Sequence, residues 1–172
     1  MGLAVVGLVC ILAIDLTLGQ GAITPYTFDR MVVAPSVLTL YYIEYFSLND
    51  LMYLSYGALK YFFANPYGLQ PPELIGGYYF DGDWANVNFI GDGYANFGVL
   101  GCALYFLIVF VMVKICDGFV LGLPMNVRLS VFVPILFYLL NSGPLTVFLS
   151  GGLLPLLIYL FFWQPHSLKK AA

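Results

Sequence analysis

The chain has 172 residues, of which 62% are hydrophobic and 9% are charged, and its formal net charge is −3. A soluble domain has about 45–50% apolar and about 25% charged residues, so this composition excludes an ordinary soluble protein and predicts a membrane protein. The few basic residues do not form the positive surface that nucleic acids require, and no nucleic-acid partner is expected.

Long apolar runs predict an all-α, polytopic transmembrane helical protein with about four to five membrane segments plus one structured loop between them. The first three segments are expected at residues 1–18, 31–48 and 95–115. A fourth apolar stretch, residues 129–163, is interrupted by Asn141-Ser142-Gly143-Pro144, which predicts either a tight helical hairpin or one broken helix. Because its first arm is too short to cross the membrane, a hairpin with its turn buried among other helices is favoured.

The basic residues predict the orientation, because Lys and Arg near membrane ends are retained in the cytoplasm. With these segments, one side carries Arg30, Lys114, Arg128, Lys169 and Lys170, and the other side carries Lys60. The expected organisation is two N-terminal membrane spans in residues 1–48, an outer loop with an interfacial helix in 49–94, C-terminal spans including the hairpin in 95–163, and a cytoplasmic tail in 164–172.

The predicted outer loop has three parts. Residues 51–63 have the spacing of an amphipathic helix that lies in the membrane interface. Residues 65–77 contain three prolines and three glycines, which predict an irregular loop in place of a regular helix. Asp81-Gly82 then predicts a tight turn.

The head of the third segment carries a polar stripe, because Asn88, Asp92 and Asn96 recur every four residues. Two interpretations are open and compatible. The first is an N-terminal helix cap made by Asn88 or Asp92, and the second is a stripe that faces a substrate. A second stripe consists of small residues that let another helix approach, namely Gly91, Ala95, Gly98 and Gly101.

Metal and cofactor chemistry is not expected from this sequence. Cys10, Cys102 and Cys116 lie in or at the end of apolar runs and are interpreted as buried small side chains. His166 has no second His or Cys nearby, so no metal site is predicted.

The order of several motifs resembles the C-terminal half of bacterial O-antigen polymerases, the oligosaccharide repeat unit polymerases. These motifs are Arg30, Pro35, Tyr41-Tyr42 to Phe46-Ser47, Ile75-Gly76-Gly77-Tyr78-Tyr79-Phe80, Ala85-Asn86-Val87-Asn88, Gly91 through Gly98, and Gly101. The ending, from Ser142-Gly143-Pro144 to Gly151-Gly152, looks like the last hydrophobic hairpin of this family. Family members are longer, so the resemblance implies the C-terminal portion of such an enzyme or a shortened relative.

The resemblance implies a multi-pass glycosyltransferase of the bacterial inner membrane. Such an enzyme polymerises undecaprenyl-pyrophosphate-linked repeat units into O-antigen or a similar surface polysaccharide at the periplasmic face. Its expected partners are the lipid-linked glycan, the lipid bilayer and a chain-length regulator protein, and no cofactor is implied.

For this chemistry, Asp92 and Glu73 are the candidate catalytic residues, because either carboxylate could orient or activate an acceptor hydroxyl. The candidate substrate-binding residues offer aromatic faces or polar groups to a sugar, and they are Tyr78, Tyr79, Trp84, Asn86, Asn88, Tyr94 and Asn96. Lys60 joins them as the cation of the outer loop, since a pyrophosphate leaving group requires positive charge.

Two other classes are alternatives. In a transporter or channel subunit, the acids Asp15, Glu44 and Asp92 would mark an ion path. A non-catalytic membrane subunit of a polysaccharide export system would need only the stripe of small residues, which packs against a larger partner. Most acids cluster in the outer loop, and this distribution favours sugar chemistry outside the cytoplasm.

Overall fold

A computed structural model describes residues 33–163 together with the single residues Thr17 and Asp29. This part of the chain is all-helical and has no β-strand, which confirms the all-α part of the predicted fold class. The α-helices are α1 (Ala34–Leu48), α2 (Pro71–Tyr79), α3 (Phe89–Val120), α4 (Met125–Leu139), α5 (Pro144–Leu149) and α6 (Leu153–Trp163). Apart from Thr17, the first predicted membrane segment lies outside the described residues, as does the predicted tail in 164–172.

Helix α3 is long and apolar enough to cross a membrane, and no other helix within residues 33–163 meets both conditions. Large apolar side chains along it, including Val99, Leu100 and Leu107, are exposed. Helices α4 and α6 are also apolar but shorter. The structure therefore provides one helix that could span a bilayer, and the larger number of spans stays a prediction.

Helix α3 turns sharply at Phe97 and Gly98, where the backbone is not helical. Gly98 has a φ of 62°, a value that favours glycine. The two halves of α3 pack against each other, because a Cβ atom at Gly101 would overlap the carbonyl oxygen of Gly93. The rings of Phe89 and Phe106 are 5.9 Å apart across the same contact. The small residues thus allow α3 to fold on itself, whereas the sequence predicted contact with another helix.

The first half of α3 begins at Phe89, six residues before the predicted start of the span at Ala95. The predicted cap is confirmed at Asn88, whose side-chain oxygen accepts hydrogen bonds from the backbone N–H groups of Ile90 and Gly91 at 3.0 and 3.1 Å. Such a cap satisfies amides that have no partner inside the helix. The straight part, residues 99–120, is roughly 33 Å long at about 1.5 Å per residue, which matches a hydrocarbon core.

The predicted interfacial helix in residues 51–63 is wrong, because the chain there forms only a short 3₁₀ turn at Gly57–Leu59. Its backbone instead bonds to the first half of α3. Met52 N–H donates to the carbonyl oxygen of Ala95 at 2.8 Å, and Leu54 N–H donates to Oδ1 of Asn96 at 2.7 Å. Tertiary hydrogen bonds replace the helical ones in this segment.

The predicted irregular loop in residues 65–77 is also wrong in its second half, where α2 begins at Pro71. Pro71 and Pro72 occupy the first two helical positions, where a missing N–H costs nothing. Gln70 and Glu73 form a reciprocal capping box at this end. The turn at Asp81 and Gly82 is confirmed by the positive φ angles of both residues.

Two clusters of buried side chains hold the described chain together. The loop-side cluster contains Tyr42, Tyr45, Phe46, Met52, Ile75, Ala85, Val87 and Ala95. The helical cluster contains Met112, Cys116, Val120, Val131, Ile135, Leu139, Val147, Leu153, Leu157 and Leu160. In the stretch predicted to form the C-terminal hairpin, α4 is the arm before the break, and α5 and α6 make up the arm after it. A hairpin in the membrane stays a prediction. The turn between the arms brings the buried residues Gly143 and Pro144 to the first half of α3.

Candidate substrate cavity

A cavity of about 280 Å³ lies where the outer loop, the first half of α3 and the turn between α4 and α5 meet. Its volume is near the lower end for small-molecule sites, roughly 300 Å³. Its polar lining consists of Asp92, Gln70, Asn86, Asn141, Ser142, Thr146 and Ser150. Its aromatic lining consists of Tyr42, Tyr56, Trp84 and Tyr105. Asp92 is the one charged residue among the described residues that line it.

The two oxygens of the Asp92 carboxylate have different surroundings. Tyr56 OH donates a hydrogen bond to Oδ1. Oδ2 lies against Gly143, where a Cβ atom would overlap it. Glycine at position 143 is therefore what lets the α4–α5 turn approach this carboxylate. Among the described residues, no group donates a hydrogen bond to Oδ2.

Asn96 is fully buried and supports the contact between Tyr56 and Asp92 through hydrogen bonds. Its Nδ2 lies 2.7 Å from Tyr56 OH, 3.0 Å from Tyr105 OH and 2.8 Å from the carbonyl oxygen of Asp92. Because Oδ1 of Asn96 also accepts from Leu54 N–H, one side chain joins α3 to the outer loop. Asn96 does not line the cavity, so the predicted polar stripe is an internal network at this position.

The Tyr56 hydroxyl is a stable donor to Asp92. Burial raises the pKa of this hydroxyl well above its ordinary value, and the nearby charge of Asp92 raises it further. Both effects disfavour the phenolate, so the hydroxyl keeps its proton. The hydrogen bond to Oδ1 is therefore present whenever Asp92 is ionised.

Trp84 and Asn86 form a polar and aromatic wall of the cavity. Trp84 Nε1 donates to Oδ1 of Asn86 at 2.9 Å, which orients the indole ring. Trp84 is 48% exposed, so the ring is accessible to a ligand. Together with Asp92, these are the predicted site residues that the structure brings to one cavity.

The other predicted polar residues lie elsewhere. Glu73 accepts a hydrogen bond from Gln70 N–H at 3.0 Å and caps α2, while Asn88 caps α3. The exposed Lys60 places its Nζ 5.1 Å from the centre of the Tyr61 ring. None of these three predicted residues lines the cavity.

The predicted tyrosines form part of the loop-side packing. Tyr78 is exposed and its ring lies 5.2 Å from that of Tyr45. Tyr79 lies 4.7 Å from Tyr41, and Tyr94 packs against the loop-side cluster. Their contacts join α1 to α2 and α3, at a distance from the lining of the cavity.

The sequence interpretation missed several lining residues. The sequence places Tyr56 in the predicted interfacial helix and Asn141-Ser142 in a helix break, and neither pattern by itself indicates a site. The position of Asn141 and Ser142 inside an apolar stretch is, however, a signal for a polar site. In a membrane protein such side chains are costly unless they have a partner or face water. Gln70 and Thr146 carry no signal that the sequence alone reveals.

Comparisons of the chain with models of known protein families, with curated proteins and with solved structures found no match. The resemblance to O-antigen polymerases therefore stays a prediction. Among the described residues, no group of three or more His, Cys, Asp or Glu side chains is placed to hold a metal ion.

Proposed function

We propose that this chain is part of a multi-pass glycosyltransferase of the bacterial inner membrane that extends a surface polysaccharide. Its substrates are undecaprenyl-pyrophosphate-linked repeat units, and the cavity beside Asp92 holds the acceptor sugar at the periplasmic face. The observation that carries the proposal is the cavity lining, which combines aromatic rings, neutral amides and hydroxyls with a single carboxylate. This combination suits a sugar, since rings pack on its faces and polar groups bind its hydroxyls.

The reaction transfers the growing glycan to the non-reducing end of an incoming lipid-linked unit. An acceptor hydroxyl oxygen forms a bond to the anomeric carbon of the donor, and the bond from that carbon to the pyrophosphate breaks. The lipid pyrophosphate leaves with the bonding electron pair, and the hydroxyl loses its proton. Asp92 either orients the acceptor or takes this proton. Glu73 is the weaker candidate, because its carboxylate caps α2.

The pyrophosphate requires a site of its own. Stabilising a departing phosphate takes Arg, Lys or a metal ion, and no described residue that lines the cavity is basic. Lys60 is exposed and lies outside the lining. The cavity thus accounts for the acceptor half of the reaction, and the donor pyrophosphate binds outside it.

Deleting the gene and separating the surface polysaccharide on a gel tests this proposal. We expect single-repeat glycans in place of a ladder, and complementation with Asp92→Asn is expected to leave the ladder absent. Complementation with Asp81→Asn is the matched control and should restore the ladder, because Asp81 is exposed in a turn away from the cavity. An unchanged ladder after deletion would contradict the proposal.

The same experiment addresses the alternatives. A ladder that is lost on deletion but restored by Asp92→Asn would favour a non-catalytic subunit of an export system. The transporter alternative requires a path of acids, yet Glu44 is exposed and does not line the cavity. Asp15, the third acid of that path, lies outside the described residues.

A further inference from the structure

The Asp92 carboxylate has no cationic partner among the described residues. The described residues that line the cavity include no Lys, Arg or His, and the hydrogen bond from Tyr56 occupies only Oδ1. Asp92 is half-buried and lines the cavity, so a ligand that fills the cavity displaces the water next to this carboxylate. A carboxylate that loses its water is costly unless a positive charge or several hydrogen bonds compensate it. A positive group supplied by the ligand would compensate the charge at Oδ2.

The rest of the lining also suits a small cation. Four aromatic residues line the same space, and Trp84 is the most exposed of them at 48%. An accessible aromatic face attracts a cation. The remaining polar groups of the lining are neutral amides and hydroxyls, which accept hydrogen bonds from an ammonium group without repelling it. An anionic ligand would meet the Asp92 charge with nothing to offset the repulsion.

We propose that the ligand of this cavity carries a protonated primary amine, as an amino sugar whose ammonium group binds Oδ2 of Asp92. This inference rests on the proposed function and names the class of acceptor sugar, one with a free amine in place of an acetylated one. It assigns Asp92 the role of an anchor that orients the acceptor. A carboxylate bound to an ammonium group is a weak base, so the proton of the attacking hydroxyl goes to the departing pyrophosphate or to water.

A lipid headgroup could supply the same amine. Phosphatidylethanolamine, however, carries a phosphate two carbons from its nitrogen, and that phosphate would enter a lining that has no cation among the described residues. The charge of the cavity therefore favours the sugar. The experiment includes ethanolamine so that the two sources give different results.

Trp84 provides a local reporter of binding. The chain has two tryptophans, Trp84 and Trp163, so the Trp163→Phe variant leaves only the one in the cavity wall. We would place the full chain of this variant in nanodiscs of phosphatidylcholine and phosphatidylglycerol, which lack a primary amine. Fluorescence titrations with glucosamine, N-acetylglucosamine, glucose and ethanolamine give four dissociation constants.

We expect glucosamine to bind roughly tenfold more tightly than the other three ligands, a ratio that corresponds to about 1.4 kcal/mol. In an Asp92→Asn background the preference should disappear, whereas the matched Asp81→Asn background should keep it. Equal affinity for glucosamine and N-acetylglucosamine in the parent protein would overturn the proposal, as would a preference that survives Asp92→Asn. Ethanolamine binding as tightly as glucosamine would overturn the assignment to a sugar.

The ligand comparison in the parent protein needs no substitution at Asp92, so it decides the question even if Asp92→Asn does not fold. It also separates the two proposals. An amine preference together with an unchanged polysaccharide ladder after gene deletion would contradict the proposed polymerase and support the amine site. A lost ladder without any amine preference would support the polymerase and contradict the proposed amine site.

Discussion

The loop-side cluster and the helical cluster stabilise α3 by different means. The loop-side cluster contacts its first half and combines aromatic rings with directed hydrogen bonds, such as the 2.9 Å bond from Tyr42 OH to the carbonyl oxygen of Ala85. The helical cluster contacts the second half through aliphatic side chains such as Ile135 and Leu139. The candidate cavity lies beside the first cluster. Hydrogen bonds are thus concentrated beside the cavity, where side chains must be positioned. Apolar packing stabilises the second half of α3.

This difference predicts different responses to substitution. Apolar cores tolerate changes that conserve volume, because dispersion and burial do not depend on direction. Substitutions in a hydrogen-bonded network lower the free energy of unfolding more, because each removed group leaves a buried partner unsatisfied. Substitutions in the loop-side cluster and its network are therefore expected to have larger effects than those in the helical cluster.

Gly76→Ala is expected to destabilise the protein most. A Cβ atom at Gly76 would overlap the carbonyl oxygen of Asp83, a backbone atom that cannot rotate away. We expect a loss of about 3 kcal/mol or more in the free energy of unfolding, measured in mixed detergent micelles. Gly77→Ala is the matched control, because nothing lies within 4 Å of its Cβ position, and it should be neutral or stabilise by up to about 1 kcal/mol. Equal effects of the two substitutions would contradict the prediction.

Asn96→Ala removes the amide that joins Leu54, Tyr56 and Tyr105. We expect a loss of about 2–3 kcal/mol, because several buried groups lose a partner at once. Glucosamine binding should weaken as well, since Asp92 loses its support. The control Asn126→Ala changes an exposed amide and should alter stability by less than about 0.5 kcal/mol. Unchanged stability and binding in Asn96→Ala would mean that the network does not hold the site.

Tyr56→Phe removes a single hydroxyl between Asp92 and Asn96. The expected loss in stability is about 1–2 kcal/mol, because one hydrogen bond to a charged group disappears while the ring remains. Tyr61→Phe, on an exposed ring in the same loop, is the control and should have almost no effect on the unfolding curve. If both variants unfold alike, the hydroxyl of Tyr56 does not stabilise the site.

Ile135→Val tests the helical cluster and should have the smallest effect. Removing one buried methyl group costs about 1 kcal/mol, and the side chain lies away from the lining of the cavity. The polysaccharide ladder should therefore be normal in cells that carry this variant. A lost ladder at normal protein level would show that the helical cluster also positions the site.

The sequence alone determined the features that depend on near neighbours. Apolar composition determined the helical class, because the backbone must satisfy its own hydrogen bonds in lipid. Asn88 and the Asp81-Gly82 pair determined a cap and a turn, since both structures form within a few residues. The irregular loop predicted around Pro71 is wrong for a local reason. A proline breaks the interior of a helix but is favoured in its first turn.

Only the tertiary structure decided the site. Tyr56 and Asp92 are 36 residues apart in the chain, and their hydrogen bond has no counterpart in the spacing of either segment. Gly143 was visible as part of a helix break, but its role is to admit the Asp92 carboxylate, which depends on how the hairpin packs on α3. Asn96 was predicted to face a substrate and is instead buried, because the outer loop folds over it. Spacing along one helix determines which side chains share a face, and the elements packed on that face determine whether it is buried or open.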